Sequence, residues 1–324
     1  MSPDRPNLWR ILSDTSRIIN THSAHFSALT VLFIFPTSLA GFAFYSLLPH
    51  PNPLETLYLR FLNIFSTTDY QIPSAGKSLL LPQLLYFLST LILGTCAGAS
   101  ITYSTFHGFY GRPVEFISAL KSILVSFLPL LSTTLLVDVI TGLINFAYMG
   151  LLFWALNGLV SIGFDVEFYY SEYFLVFVIA TAVVLVAAVF YLQIEWSLAP
   201  AVVVVESEWG LGALKRSSYL VKGARGVMFL MMLFFAVLAV GLAICYLKLA
   251  AIAGGGGSGE GWLVVIKIIV FAGFSSIILL YVEAATTVFF IYCKVSRHEL
   301  DFEIDEKYLV GEYVRLSYDD VNVV

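Results

Sequence analysis

Residues 116–164 read FISALKSILVSFLPLLSTTLLVDVITGLINFAYMGLLFWALNGLVSIGF, with Lys121 and Asp138 the only charged side chains in the stretch. How often this run crosses a bilayer decides the topology of everything after it. A helix of some 40 residues drawn from it is about 60 Å long, against ~30 Å of hydrocarbon. It therefore holds either one over-long helix or a hairpin of two spans. Charge decides between them. With one span, the loop Ser161–Glu172, which carries Asp165, Glu167 and Glu172 but no Lys or Arg, lies outside. The loop Ala201–Val227, with Lys215, Arg216, Lys222 and Arg225, then lies inside. With two spans the basic loop is translocated, against the retention of Lys and Arg on the cytosolic side. One over-long helix is the expectation, with Ala155–Phe164 projecting from or lying in the outer interface.

Composition outside this run agrees. Of 324 residues 59% are hydrophobic and 12% charged, against about 45–50% apolar and about 25% charged in soluble domains. The apolar residues come in runs near or above the ~20 needed to cross hydrocarbon. They lack the two-residue alternation of a membrane barrel, and a helix satisfies its own backbone groups in lipid. The expected fold is an all-α, polytopic integral membrane helical bundle of six spans, at about 26–48, 81–105, 118–154, 173–196, 227–247 and 261–292. Residues 1–25 form a cytosolic amphipathic segment, in which Leu8, Trp9, Ile11, Leu12, Ile18 and Ile19 fall at near-helical spacing within Asn7–His25. Because this segment precedes the first apolar run, that run is expected to stay as an uncleaved helix. Pro49, Pro51 and Pro53 stop it. Gly254–Gly259 reads as a flexible linker rather than a phosphate loop, since no Gly-Lys-Ser/Thr follows. Residues 294–324 form an acidic cytosolic tail.

With both termini cytosolic, thirteen of the 17 Lys and Arg residues lie inside. Only Arg60, Lys77, Lys248 and Lys267 lie outside or near outer span ends. The net charge of −5 arises from the tail after Glu299, which masks a basic inner face. No basic stripe with interleaved aromatics points to nucleic acid. Cys96, Cys245 and Cys293 are scattered through apolar runs, a poor disulfide or zinc framework. The histidines offer no metal-ligand spacing beyond His22/His25, and neither a Gly-x-Ser-x-Gly nor a His-Glu-x-x-His pattern occurs. No enzymatic activity and no cofactor are expected.

Three intramembrane carboxylates stand out: Glu195 and Glu283 in the cytosolic parts of their spans, and Asp138 near the middle of the long run. An ionised carboxylate at the bilayer centre costs roughly 2.5–3.5 kcal/mol on insertion scales, so such groups face a bundle interior or water. Either Glu195 and Glu283 meet Arg112, Lys121 or Lys222 in a polar site near the inner leaflet, or each pairs singly or reaches for the interface. Lys215, Arg216, Lys222 and Arg225 are candidate contacts for anionic inner-leaflet lipid, at about 1 kcal/mol for each charge, or simply set topology. Gly94 and Gly98 permit close helix approach, and Tyr313–Leu316 fits a Tyr-x-x-Φ sorting pattern.

The stretch Trp196-Ser-Leu-Ala-Pro200-Ala through Glu206, then Gly212-Ala-Leu-Lys-Arg216-Ser217 and Leu220-Val-Lys222-Gly223, carries a resemblance. It resembles the membrane domain beside bacterial glycerophosphodiester phosphodiesterases, where a span ends in Pro-Ala, an acidic residue follows, and an Ala-Leu-x-Arg-Ser helix leads to a Gly. The whole chain is also similar to an uncharacterised land-plant family of six-span proteins. The resemblance covers about 30 residues, and the catalytic barrel has no counterpart, so it implies architecture alone: a short amphipathic cytosolic helix, roughly Ala201–Gly223, between spans four and five. Glu206 and Glu208 near its start and Lys215, Arg216 and Lys222 towards its end suit the helix dipole.

Together these readings point to a non-enzymatic multi-pass membrane protein, in the plasma membrane or an endomembrane. It associates with membrane lipids or, through its tail, with protein partners. The alternative is a transporter or channel subunit with a polar path along Glu195, Glu283 and Asp138, for which Pro129 offers a helix break. A cavity reaching Asp138 distinguishes the second from the first.

Overall fold

Each apolar run folds as a helix, and the computed structural model describes residues 7–47, 75–112, 114–161, 172–253 and 261–297. The Pro49–Pro53 stop, the acidic loop after Ser161, the Gly254–Gly259 linker, and the tail from His298 with Tyr313–Leu316 lie outside the described residues. The helices are α1 (Leu8–Thr21), α2 (Ser23–Leu29), a π-helical turn (Thr30–Ile34), α3 (Phe35–Leu47), α4 (Ala75–Phe109), α5 (Phe116–Ser161), α6 (Glu172–Trp196), α7 (Ala199–Glu206), α8 (Leu211–Val221), α9 (Arg225–Ala253) and α10 (Gly261–Ser296). Six helical segments are long and apolar enough to cross a membrane: Ser23–Phe44, Leu81–Phe109, Phe116–Trp154, Ile179–Glu206, Arg225–Leu249 and Trp262–Ser296. The chain is an all-α, six-span integral membrane protein.

The long run is one helix. α5 holds 46 residues without interruption, about 69 Å by its rise, and Pro129 sits inside it rather than ending it. Ser132 and Thr133 both donate their hydroxyls to Pro129 O at 2.8 Å, and the helix continues past the proline. In the first span Pro36 has the opposite effect. With no N–H at position 36 the i→i−4 ladder opens, and Phe35 N–H reaches back five residues to Thr30 O, making the π-turn.

Packing is inside-out relative to a soluble protein. Large apolar side chains such as Leu124, Phe146 and Trp154 are more than three-quarters exposed around the outside, where lipid tails replace water. The core is drawn from the C-terminal half of α10 (Ala284, Ala285, Val288, Phe289, Phe290, Ile291) and the small-residue stretch of α4 around Ala97, Ala99 and Ile101. α10 packs against α1, α3, α4 and α9, while α4 packs against α3 and α5. Of the Gly94/Gly98 pair only Gly98 lies against a neighbour: an added Cβ would meet Leu130 at 3.6 Å, while at Gly94 it would meet open space. Close approach is thus intramolecular at one glycine. α1 is strongly amphipathic as expected, burying Ile11, Thr15, Ile18 and Ile19 mainly against α10.

The connection between spans four and five differs from the single helix Ala201–Gly223 expected. Pro200 falls in the first turn of α7, where its missing N–H is harmless. The chain then breaks: Ser207 takes φ 59° and Gly210 φ 64°. Two short helices result, α7 and α8, packed on each other. α7 is apolar, with Ala201, Val202 and Val203 buried, and the amphipathic character belongs to α8 alone.

Candidate functional site

One end of the bundle gathers the end of α4, the start of α5, the end of α6, α8, the start of α9, the end of α10, and α1. Contacts between Phe109 and Tyr292, His25 and Phe116, and Glu195 and Arg225 tie these pieces together. Arg10, Arg17, Arg112, Lys121, Lys215, Arg216, Lys222, Arg225, Lys294 and Arg297 all belong to these elements. Lys77, Lys248 and Lys267 belong to the opposite ends of their helices.

At this basic end, α7 and α8 are fastened by an ionic collar. Arg216 on α8 grips Glu206 at the end of α7 with two bonds, Nε to Oε2 at 2.9 Å and a terminal nitrogen to Oε1 at 3.2 Å. This is the paired geometry a planar guanidinium favours. Lys294, 7% exposed on α10, places Nζ 3.1 Å from Glu206 Oε1. One carboxylate thus joins α7, α8 and α10. Arg297 lies 4.0 Å from the Tyr219 ring centre and donates to Tyr219 O, with Arg216 at 5.8 Å from the same ring.

A second fastening lies beside it. Ser217, fully buried, donates its hydroxyl to Glu195 O at 2.7 Å and accepts Leu198 N–H at 3.1 Å. A side chain of α8 thereby completes backbone groups where α6 breaks into α7. Glu195 itself is 6% exposed and contacts Arg225 Nε through Oε1. No well-directed hydrogen bond reaches that oxygen, so the contact is one of charge with charge. Of the residues that carry the resemblance, Glu206, Arg216 and Ser217 therefore hold the α6–α8 connection together, and Pro200 stands in the first turn of α7.

The candidate carboxylates do not form one constellation. Glu195 joins the collar through Arg225, not through Arg112, Lys121 or Lys222. Glu283 lies eleven residues before Lys294 on α10, about 16 Å along the axis, half-buried, with no hydrogen bond or ion pair of its carboxylate among the described residues. Asp138 is exposed on α5 and likewise joins neither glutamate. Of the four candidate lipid contacts, Arg216 and Arg225 are engaged with Glu206 and Glu195, while Lys215 and Lys222 are exposed. The residues read from sequence merely as topology charges, Lys294 and Arg297, turn out to be collar members. Their partners lie on a hairpin some 80 residues away in the chain, and no local spacing signals such a pairing.

The collar leaves a rigid cationic face with two free-standing lysines, and among the described residues no group of three or more His, Cys, Asp or Glu could hold a metal ion. A family model described as a domain of unknown function (DUF8558) matches residues 7–323. The chain belongs to this family. No curated protein and no solved structure matches it. The family match begins at α1 and runs through all six spans, so bundle, collar and amphipathic helices fall within one matched unit.

Proposed function

We propose that this family member is a non-enzymatic membrane component that associates with anionic lipid through its basic end, which faces the cytosol. The observation that carries the reading is the division of labour among four neighbouring cations. Arg216 pairs with Glu206 and ties α8 to α7, and Arg225 pairs with Glu195 and ties α9 to α6. Lys215 and Lys222 stay exposed on the locked helix. A lysine held near an anionic leaflet is worth about 1 kcal/mol, and a helix already docked on the bundle presents two of them without first ordering its backbone. Trp209 just before α8 and Leu211 at its start, both exposed, supply the apolar anchors that interfacial segments use.

A transport path along Glu195, Glu283 and Asp138 finds less support. Two cavities among the described residues are lined by none of the three. One lies among Thr37, Ser38, Tyr86 and Tyr246 in the apolar part of the bundle, the other at the basic end. The test is reconstitution of the full chain into nanodiscs of mixed lipid. Enrichment of phosphatidylserine over phosphatidylcholine in the co-purified lipid, reduced by Lys215→Gln with Lys222→Gln, supports the reading. Equal recovery of both lipids with and without the lysines overturns it.

A further inference from the structure

The first cavity, of ≈ 380 Å³, lies among α3, α4, α9 and α10, towards the end of the bundle opposite the basic one. The volume falls within the roughly 300–1,000 Å³ of small-molecule sites. Its walls mix two chemistries: Phe42, Leu247 and Leu279 are apolar, while Ser38, Tyr86 and Tyr246 bring hydroxyls. No Asp, Glu, Lys, Arg or His lines it among the described residues. The Lys267 ammonium is held over the Tyr246 ring, 4.6 Å from its centre, and is not part of the lining.

One of these hydroxyls is unserved. Ser38 is 8% exposed, and its Oγ has no hydrogen-bond partner among the described residues. A serine inside a helix ordinarily donates to a carbonyl one turn back. Here that carbonyl, Ile34 O, already accepts the Thr37 hydroxyl at 2.6 Å. Gly41, on the same face of α3, lets α4 come close: the Tyr86 hydroxyl lies 3.4 Å from where a Cβ at Gly41 would stand. From α9, Tyr246 donates to Phe42 O at 3.5 Å. By helical rise Ser38 lies about 9 Å inside the far end of its span, Tyr86 about 7–8 Å and Tyr246 about 4–5 Å. Three spans thus bring hydroxyls to a similar depth, just below the level where interfacial tyrosines meet headgroups.

We infer that this cavity holds the polar end of an uncharged lipid that carries a hydroxyl, with Ser38 as its hydrogen-bond partner. A hydroxyl both donates and accepts, so it serves Ser38 without bringing a charge into a site that has none. Water is a poor filling: the volume would take on the order of ten molecules, each needing about two to four polar partners, beside walls that are largely apolar. Thr90, Ala243 and Leu247 on the rim are exposed, and on a span such a surface faces acyl chains, so the ligand enters sideways from the bilayer. The site stands whether or not the basic end binds anionic lipid, because the two share no residue.

The test titrates the full chain in phosphatidylcholine nanodiscs with two uncharged hydroxyl lipids, dioctanoylglycerol and cholesterol, and reads the thermal unfolding midpoint. Each is set against the same molecule without its hydroxyl, propanediol dioctanoate and cholestene. At least one hydroxyl lipid is expected to raise the midpoint in a saturable way. Its counterpart should bind at least about fivefold more weakly, the scale of one neutral hydrogen bond. A response to dioctanoylglycerol alone makes the ligand a glycerolipid, one to cholesterol alone makes it a sterol, and one to both makes the hydroxyl itself the determinant. Ser38→Ala is expected to weaken binding by the same factor while leaving the lipid-free midpoint level or higher, since it removes an unserved hydroxyl. Ala243→Phe, from an exposed position on the rim, fills the cavity and is expected to abolish the response. Thr134→Val, which removes a hydroxyl of α5 outside the lining, should respond as the unaltered chain does. No saturable rise with either hydroxyl lipid, equal binding of the counterparts, or full binding retained by Ser38→Ala or by Ala243→Phe overturns the proposal.

Discussion

Arg225, the first residue of α9, contacts the carboxylate of Glu195, the penultimate residue of α6. Everything between them, α7, α8 and their turns, is a detour that leaves the bundle wall and returns to it. The pair closes that detour, and Ser217 and Glu206 fix its interior. The two partners are unequal: the Glu195 side chain is 8% exposed and that of Arg225 44%.

This inequality predicts an asymmetric mutant pair. Arg225→Gln leaves a buried carboxylate without its counter-ion, whereas Glu195→Gln leaves a half-exposed guanidinium that solvent and headgroups can serve. Stranding a buried charge costs 3–5 kcal/mol where both partners are buried. Discounted for the exposure of Arg225, Arg225→Gln is expected to cost roughly 1–3 kcal/mol and Glu195→Gln less than about 1 kcal/mol. The double variant should be more stable than Arg225→Gln alone. Unfolding midpoints of the three proteins in one detergent check the order, and equal losses in both single variants would contradict it.

Glu206 is the more consequential carboxylate because it serves two cations, one of them buried. Glu206→Gln removes the charge that both Arg216 and Lys294 face and is expected to destabilise by about 2–4 kcal/mol. Arg216→Lys should fare little better than Arg216→Ala, since a lysine cannot make the two-bond grip. A double-mutant cycle between positions 206 and 216 should return a coupling of about 1–3 kcal/mol. Additivity within error would remove the collar as a cooperative unit.

Ser217→Ala makes a sharper point about backbone accounting. The change is small in volume, yet it orphans Leu198 N–H in a fully buried setting and removes the donor to Glu195 O. A buried donor left unsatisfied costs about 1–3 kcal/mol, so this one hydroxyl should matter more than any exposed serine. Hydrogen exchange at Leu198 should accelerate in the variant while exchange in the middle of α10 stays unchanged.

The spans were legible because they rest on amount and order: apolar length sets the helix, and charge alternation chose one crossing over two for residues 116–164. α5 runs unbroken through Pro129, as that choice requires. The α7–α8 hairpin was not legible as two helices. Its one local sign was Gly210, which follows Trp209 and takes a positive φ; Ser207 in the left-handed region gave no sign at all. The collar was hidden for a different reason. Glu206 and Arg216 are ten residues apart, and at helical spacing the dipole explained them adequately. Lys294 meets Glu206 only because α10 packs beside the hairpin, which is a fact of tertiary structure.

Glu283 is the counter-case to Glu195. Both are intramembrane glutamates, but Glu283 has no described ion partner, so its neutral isostere removes a burden without stranding a cation. Glu283→Gln is expected to be neutral or stabilising, within about 1 kcal/mol. Combined with Arg225→Gln it should leave that variant's loss unchanged, because the two sites share no partner and distant effects add. A loss from Glu283→Gln as large as that from Arg225→Gln would mean the carboxylate is held by a contact beyond the described helices.

The last prediction concerns sidedness, which the basic end alone suggests. α1, α8 and the end of α10 are bound to one another through Asp14–Tyr292 and Arg297–Tyr219, so their exposed residues must share one aqueous compartment whichever way the protein faces. Lys248 sits near the far end of the span Arg225–Leu249 of α9. Single cysteines are introduced at Arg17, Lys215 and Lys248 in a background where Cys96, Cys245 and Cys293 are replaced by Ser or Ala, and each is treated with a membrane-impermeant maleimide. Positions 17 and 215 should react together, and position 248 under the opposite condition. Retention of Lys and Arg on the cytosolic side gives the direction: 17 and 215 label only after the membrane is opened. If 17 and 215 label in different compartments, the bundle described here is wrong. If they label together from outside the cell, the bundle stands and the cytosolic placement of its basic end falls.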